Sequence, residues 1–88
     1  MIYEVRISQK AEKDFIKIPK GTVIKIVEKI ESLSKNPYPP GSKKIKASDE
    51  ELYRVRQGSY RILYVVRSVI KIVEVRRIRH RKDIYKSL

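Results

Sequence analysis

Apolar and polar positions alternate from Ile2 to Ile7, the pattern of a strand with one buried face. The rhythm then changes. Ser8 suits a helix N-cap, because its hydroxyl accepts one of the first unpaired backbone N–H groups, and the helix it opens extends to about Lys17. Ala11, Phe15 and Ile18 fall at i, i+4 and i+7 and give it one apolar face. Pro19, Lys20 and Gly21 break it. A second helix from about Thr22 to Lys35 carries Val23, Ile26, Val27, Ile30 and Leu33 in one stripe. Asn36-Pro37 ends it, and Tyr38-Pro39-Pro40-Gly41 keeps the chain from re-entering helix. The two helices predict an antiparallel hairpin.

After a loop bearing Lys43, Lys44 and Lys46, alternation returns. Leu52–Gln57, Tyr60–Val66 and Val69–Ile78 are rich in Val, Ile and Tyr and predict three strands. Arg81–Leu88 reads as a short tail or a turn or two of helix. Strand, helix, helix and three strands make an α+β fold. A single domain spanning residues 1–88 is expected, its helical hairpin on one face of a mainly antiparallel sheet of about four strands.

The dipeptide Gly58-Ser59 fixes more than a turn. Glycine at the first central position suits a type II′ two-residue hairpin, which sets Gln57 opposite Tyr60 and Arg56 opposite Arg61. Tyr53, Val55, Tyr60, Ile62 and Tyr64 then share the face that packs on the helices, and Arg54, Arg56 and Arg61 share the other. Like charges directly opposed across two strands destabilise a sheet, and an anion between them relieves the repulsion. The plain alternative is that Glu74 on the next strand neutralises Arg61. Leu52, Leu63, Val65, Ile70 and Ile72 fall on this same face. Two readings stand for them: an apolar patch that marks an interface, or a surface covered by the C-terminal tail.

Composition adds a partner class. The chain has 88 residues, of which 41% are hydrophobic, enough to build one core and to argue against disorder. It has no cysteine, which removes disulfides and thiolate metal sites and fits a reducing, cytoplasmic compartment. No stretch reaches the roughly 18 apolar residues of a membrane helix, and no membrane partner is expected. The net charge of +12 calls for a polyanion. That charge is uneven: residues 54–88 carry 11 Lys/Arg against 2 Asp/Glu, mostly arginine, whose planar fork matches phosphate. The Lys-rich first part fits a solvated surface equally well. The carboxylates show no clustered ligand pattern, so neither a metal nor another cofactor is expected.

Four segments, taken in order, resemble the RelE/ParE toxin superfamily over almost the whole chain, and its RelE branch most. Ser8-Gln9-Lys10-Ala11-Glu12-Lys13-Asp14-Phe15 with Ile18-Pro19 is similar to the family's first helix. Asn36-Pro37 and Gly41-Ser42-Lys43-Lys44-Ile45 resemble its helix-to-sheet connection. Tyr53-Arg54-Val55-Arg56 through Gly58-Ser59-Tyr60-Arg61-Ile62-Leu63-Tyr64 resembles its central hairpin, and His80-Arg81-Lys82-Asp83-Ile84-Tyr85 its C-terminal signature.

The resemblance implies the toxin of a type II toxin–antitoxin pair, blocked by an antitoxin expected to be acidic and amphipathic. Toxins of the RelE branch enter the ribosomal A site and cleave mRNA without a metal. The RNA 2′-hydroxyl attacks the adjacent phosphate. Cations placed where charge gathers lower such a barrier, one group takes the 2′-OH proton, and another protonates the leaving 5′-oxygen. By this resemblance Arg61 and Arg81 clamp the phosphate, and Tyr85 stacks on a base or orients the 2′-OH. Arg54 and Arg56 stand where well-studied relatives carry lysine. Arginine hardly deprotonates, so these two act electrostatically or bind RNA. His80, the one histidine, is either a general acid or base or a surface residue. Arg79 replaces a glycine common among relatives. Arg79, Lys82, Lys43, Lys44 and Lys46 join Arg56 as expected RNA-binding residues. Two other functions remain beside the nuclease: a ParE-like inhibitor of DNA gyrase and a nucleic-acid-binding module without catalysis.

Overall fold

The structure is a computed structural model that describes residues 2–45 and 50–82. Its elements in chain order are β1 (Glu4–Ile7), α1 (Gln9–Phe15), α2 (Lys20–Ser32), β2 (Lys43–Lys44), β3 (Leu52–Gln57), β4 (Tyr60–Arg67) and β5 (Ile72–His80). They form one five-stranded sheet in the order β1-β5-β4-β3-β2. The two helices lie on one of its faces, as the alternation of buried side chains requires. Two details depart from the expected strand count. Lys43 and Lys44 are not loop but a short edge strand, antiparallel to β3. The N-terminal strand runs parallel to the last one, so the sheet is mixed.

Ser8 caps α1 as its residue type predicts, its Oγ accepting from the Ala11 N–H at 3.1 Å. The same hydroxyl donates to the Arg76 carbonyl at 3.0 Å, so the cap also fastens the helix to β5. α1 is shorter than expected. Pro19 disfavours helical geometry in the residue before it, and the chain turns there. Pro19 then becomes the N-cap residue of α2, whose first helical residues are Lys20 and Gly21. The supposed break is therefore the start of the second helix, with a rigid φ at its entry.

The core between helices and sheet holds Ala11, Ile18, Ile26, Ile30 and Leu33 against Val55, Ile62, Tyr64, Val66, Val73, Val75 and Ile78. Ile26 is fully buried, and its truncation to alanine is expected to cost about 3 kcal/mol. Tyr64 is the largest fully buried side chain. Its hydroxyl donates to the Pro37 carbonyl at 2.8 Å, tying the helix-to-sheet connection to the sheet centre. Burial pushes its pKa up to about 12. Tyr53 stacks on it at 5.9 Å between ring centroids, and Tyr38 meets Tyr53 edge-on at 5.1 Å.

The β3–β4 hairpin has the expected register, with Arg56 opposite Arg61 and Gln57 opposite Tyr60. Gly58 has φ +61°, as the first central residue of such a turn requires. The third predicted strand begins later than Val69. Residues 68–71 form the β4–β5 turn, where Lys71 has φ 58°, and Ile70 lies outside the sheet. The pairing of β4 with β5 shifts between Leu63 and Tyr64, whose partners are Arg77 and Val75. Arg76 is thus the extra residue of a β-bulge.

Candidate functional site

The bulge at Arg76 decides which side chains of β5 meet the arginines of the hairpin. Up to Val75, odd-numbered residues face the helices; after the bulge Ile78 takes that direction, opposite Ile62. Arg79 therefore turns to the opposite face, directly across from Arg61, while His80 lies across from Tyr60 on the helix side. Arg56, Arg61 and Arg79 become one row across β3, β4 and β5. Arg54 lies on the same face one row down, and Lys43 is opposite Arg54 on the edge strand.

A concavity of about 420 Å³ opens here, lined by Pro40, Gly41, Lys43, Arg54, Arg56 and Arg61, with no carboxylate among the described residues that line it. Lys43, Arg54 and Arg56 form no ion pair among the described residues. Glu74 does not lie across from Arg61: it is opposite Val65 and pairs with Arg76. Arg76 also reaches Glu50 at 2.8 Å, and Glu50 reaches Arg67 at 3.2 Å. These acids are gathered at the far end of the face, away from the hairpin end where Arg56, Arg61 and Arg79 stand.

Arg77 is on this face too, yet it is neutralised. Its Nε and Nη2 each donate to Asp14 of α1 at 3.0 Å, and the Ile78 N–H donates to the same carboxylate at 2.8 Å. Burial alone would raise the Asp14 pKa, but the Arg77 and Ile78 hydrogen bonds and the nearby Arg77 and Arg79 charges outweigh it and hold the carboxyl below its usual value. The Arg79 Nε has less than 1 Å² of exposed surface and no hydrogen-bond partner among the described residues. Asp14 does not stand out in the sequence, because α1 carries Glu12 as well and balances its two acids with Lys10 and Lys13.

The apolar residues of this face do not form an open patch. Leu63 and Val65 are 5% and 1% exposed, and Leu52 and Ile72 are half-buried. Leu63 sits between Arg54 and Arg77, whose aliphatic stems shield such positions. The large apolar side chains that are exposed lie elsewhere and include Ile16, Ile24, Val69 and Ile70. Of the two readings, an open apolar patch is therefore not present on this face among the described residues, and cover by the C-terminal tail falls on residues 83–88, outside the described residues.

Of the residues singled out in the sequence, Arg54, Arg56, Arg61, Arg79 and Lys43 come together. Lys44 pairs with Tyr53 and points to the helix side. Arg81 leaves β5 at the hairpin end, its N–H donating to the Ser59 carbonyl at 2.7 Å, and Lys82 follows it, exposed. His80 stands apart from the arginine row. Its ring meets Tyr60 edge-on at 5.3 Å, and its Nδ1 accepts from the Lys82 N–H at 3.2 Å. Lys46 and Tyr85 lie outside the described residues. Among the described residues no three His, Cys, Asp or Glu side chains gather as metal ligands, and no helix is long and apolar enough to cross a membrane.

Comparison with known proteins agrees with this geometry. The model of the family described as the ParE toxin of type II toxin–antitoxin systems matches residues 5–85. A Methanocaldococcus jannaschii protein bearing the name toxin RelE1 is 38% identical, the match covering 99% of each chain. Toxin RelG of Mycobacterium tuberculosis is 32% identical over 98% of this chain and 99% of its own. The archaeal RelE of a RelE–RelB complex from Pyrococcus horikoshii superposes with a TM-score of 0.81 at 27% identity, over 92% of this chain and 97% of that one. The chain belongs to the RelE/ParE superfamily, on its RelE-like branch, and is the toxin of a type II toxin–antitoxin system of the RelBE kind.

Proposed function

We propose that this toxin is a ribosome-dependent endoribonuclease that cuts mRNA in the A site with its arginine face. The observation that carries the reading is the row Arg56–Arg61–Arg79, like charges set side by side on three strands beside a cation-lined concavity. Such a row costs the sheet stability, and a phosphate placed on it offsets that cost.

The step needs the RNA, the chain and water. The 2′-oxygen attacks the adjacent phosphorus and passes its proton to a water molecule, the bond from phosphorus to the 5′-oxygen breaks, and that oxygen takes a proton from water. The products are a 2′,3′-cyclic phosphate and a 5′-hydroxyl. Arg61 and Arg81 stabilise the charge that gathers on the phosphorane oxygens, an electrostatic role that needs no exchange of protons. Arg54 and Arg56 act as fixed cations, because arginine keeps its proton. Tyr85 is assigned to the splayed base or the 2′-OH. His80 is not assigned the base: its Nδ1 is occupied by the Lys82 N–H, which places the neutral ring's proton on Nε2, and the ring lies on the helix side. Lys43, Lys82, Lys46 and Arg79 contribute phosphate contacts. The partner antitoxin is an acidic amphipathic segment that covers the arginine face and neutralises it.

The test is purified protein added to programmed ribosomes carrying a defined A-site codon, with Arg81→Ala and Arg61→Ala as controls and the mRNA ends mapped. Cleavage inside the codon, lost in both variants while they remain folded, is expected. Intact mRNA, or full activity in either variant, overturns the reading, and inhibition of gyrase supercoiling would then mark the ParE-like alternative.

A further inference from the structure

We propose that Asp14 is a positioning residue for the cleavage step: from α1 it fixes the end of β5, and through that strand the place at which Arg81 enters the site. The inference rests on the proposed nuclease activity, and it concerns a carboxylate that lies outside the arginine row.

The two edges of β5 are held unequally. As far as Val75 the strand has β1 on one side and β4 on the other. Beyond Val75 only β4 runs beside it among the described residues, and the bulge interrupts that ladder at Arg76. The last rung is the Arg81 N–H on the Ser59 carbonyl at 2.7 Å. A strand end paired along one edge opens more readily than the sheet centre. Arg81 leaves from that end, so its placement depends on whatever holds the other edge.

Two side chains of α1 hold it. The Ser8 hydroxyl at the N-cap donates to the Arg76 carbonyl at 3.0 Å, and Asp14, near the other end of the helix, accepts the Ile78 N–H at 2.8 Å. One contact lies at the bulge and the other just past it. The Asp14 carboxylate cannot turn away, because the Arg77 Nε and Nη2 hold it at 3.0 Å each. A hydrogen bond from a backbone N–H to a charged carboxylate is also stronger than the one a neutral strand carbonyl makes. Ile78 precedes Arg81 by three residues, and its side chain is 3% exposed in the core. The Asp14 clip and the buried Ile78 together set the register and direction in which β5 delivers Arg81 to the hairpin end.

A plain surface charge and a positioning group at this place predict opposite signs. As a surface charge, an acid beside Arg77 and Arg79 weakens the positive field, and its removal should strengthen RNA binding and speed the cut. As a positioning group, its removal leaves binding intact or strengthened by the freed Arg77 and slows the cut. A cation displaced by about 1 Å from the developing charge loses much of its effect on the barrier.

The test is single-turnover cleavage on programmed ribosomes, with toxin concentration varied to separate the maximal rate from the concentration that gives half of it. Wild type, Asp14→Asn, Asp14→Ala and Ile26→Val are compared at a temperature where all are folded. Ile26→Val loosens the core from α2 and leaves Asp14 and its partners in place. Asp14→Ala is expected to lower the maximal rate about tenfold or more without raising the half-saturating concentration. Asp14→Asn should lose less, because its amide oxygen still accepts the Ile78 N–H, and Ile26→Val should keep the wild-type rate. A maximal rate at or above wild type in Asp14→Ala overturns the proposal, as does an equal loss in Ile26→Val.

Amide hydrogen exchange on the free proteins separates this inference from the nuclease reading. Asp14→Ala is expected to speed exchange about tenfold at Ile78 and Arg81 and to change Val66 and Val73 less. That pattern, in a protein whose wild type leaves mRNA intact, removes the nuclease and leaves the positioning of Arg81 standing. Exchange that is unchanged at Ile78 and Arg81, or that rises equally throughout the sheet, overturns the positioning role even where the wild type cuts.

Discussion

Asp14 and Arg77 are joined by two hydrogen bonds of 3.0 Å that link the end of α1 to the stretch of β5 whose outer edge has no strand beside it once β1 has ended. β1 pairs with β5 only as far as Val75. Past that point the Asp14 carboxylate takes over the edge, accepting the Ile78 N–H in place of a strand carbonyl. The helix thus does the work of a strand, and the arginines that follow are held in their register by it.

This clamp has a pH signature. The Asp14 carboxyl lies below its ordinary value of 3.8 in the folded protein, because the Arg77 and Ile78 bonds and the nearby positive charges outweigh burial. A depressed folded pKa gives stability that is present above the unfolded pKa and is lost as pH falls through the folded one. Asp14→Asn should therefore cost about 2 kcal/mol near neutral pH, and the difference from wild type should shrink once the pH drops below about 4. Urea midpoints measured over that range check it. Curves that stay parallel down to acid pH would show that the pair contributes nothing through its charge.

His80 and Arg61 should separate sharply in a single-turnover cleavage assay on programmed ribosomes. Loss of a general base costs about 100-fold or more, and loss of a preorganised cation costs a similar amount. Arg61→Ala is expected to show that loss and His80→Gln to remain within about threefold of wild type, because a ring on the helix side with Nδ1 occupied is placed to hold the strand end. A 100-fold drop in His80→Gln would return it to the chemistry.

Gly58 carries the hairpin register. At φ +61° any side chain is strained, so Gly58→Ala should destabilise the fold by about 1–2 kcal/mol although open space surrounds the position. A thermal melt measures the loss. An unchanged midpoint would mean that the turn relaxes to another type, and the cross-strand pairing of Arg56 with Arg61 would then need to be re-examined by NMR.

Much of the fold was legible along the chain. The turn glycine and the alternation on either side of it set the hairpin register residue by residue, since a two-residue turn leaves no freedom to slip. The core stripe of α2 was equally plain in Ile26, Ile30 and Leu33. The limits of α1 and α2 were less so, because Pro19 serves equally well to stop one helix and to start the next, and local propensity does not choose. The acidic partner of Arg77 was hidden for a different reason. Asp14 and Arg77 are far apart in the chain, and only the packing of α1 along the strand edge brings them into contact.

What the sequence determined by itself was the hairpin and the arginines Arg54, Arg56 and Arg61 on one face, because these depend on local rules of turn and alternation; the family came from the likeness of four segments to a known one. What only the tertiary structure decided was which residues of the last strand join them. Val73 and Val75 face the core and so does Ile78, and a strand satisfies all three only by inserting one residue, Arg76, between two partners on β4. Burial of Ile78 in the core accounts for that bulge, since an isoleucine left in water gives up about 2 kcal/mol of burial. The same one-residue shift sent His80 to the helices and brought Arg79 to the face of Arg54, Arg56 and Arg61, and an alternation read along β5 alone would have exchanged the two.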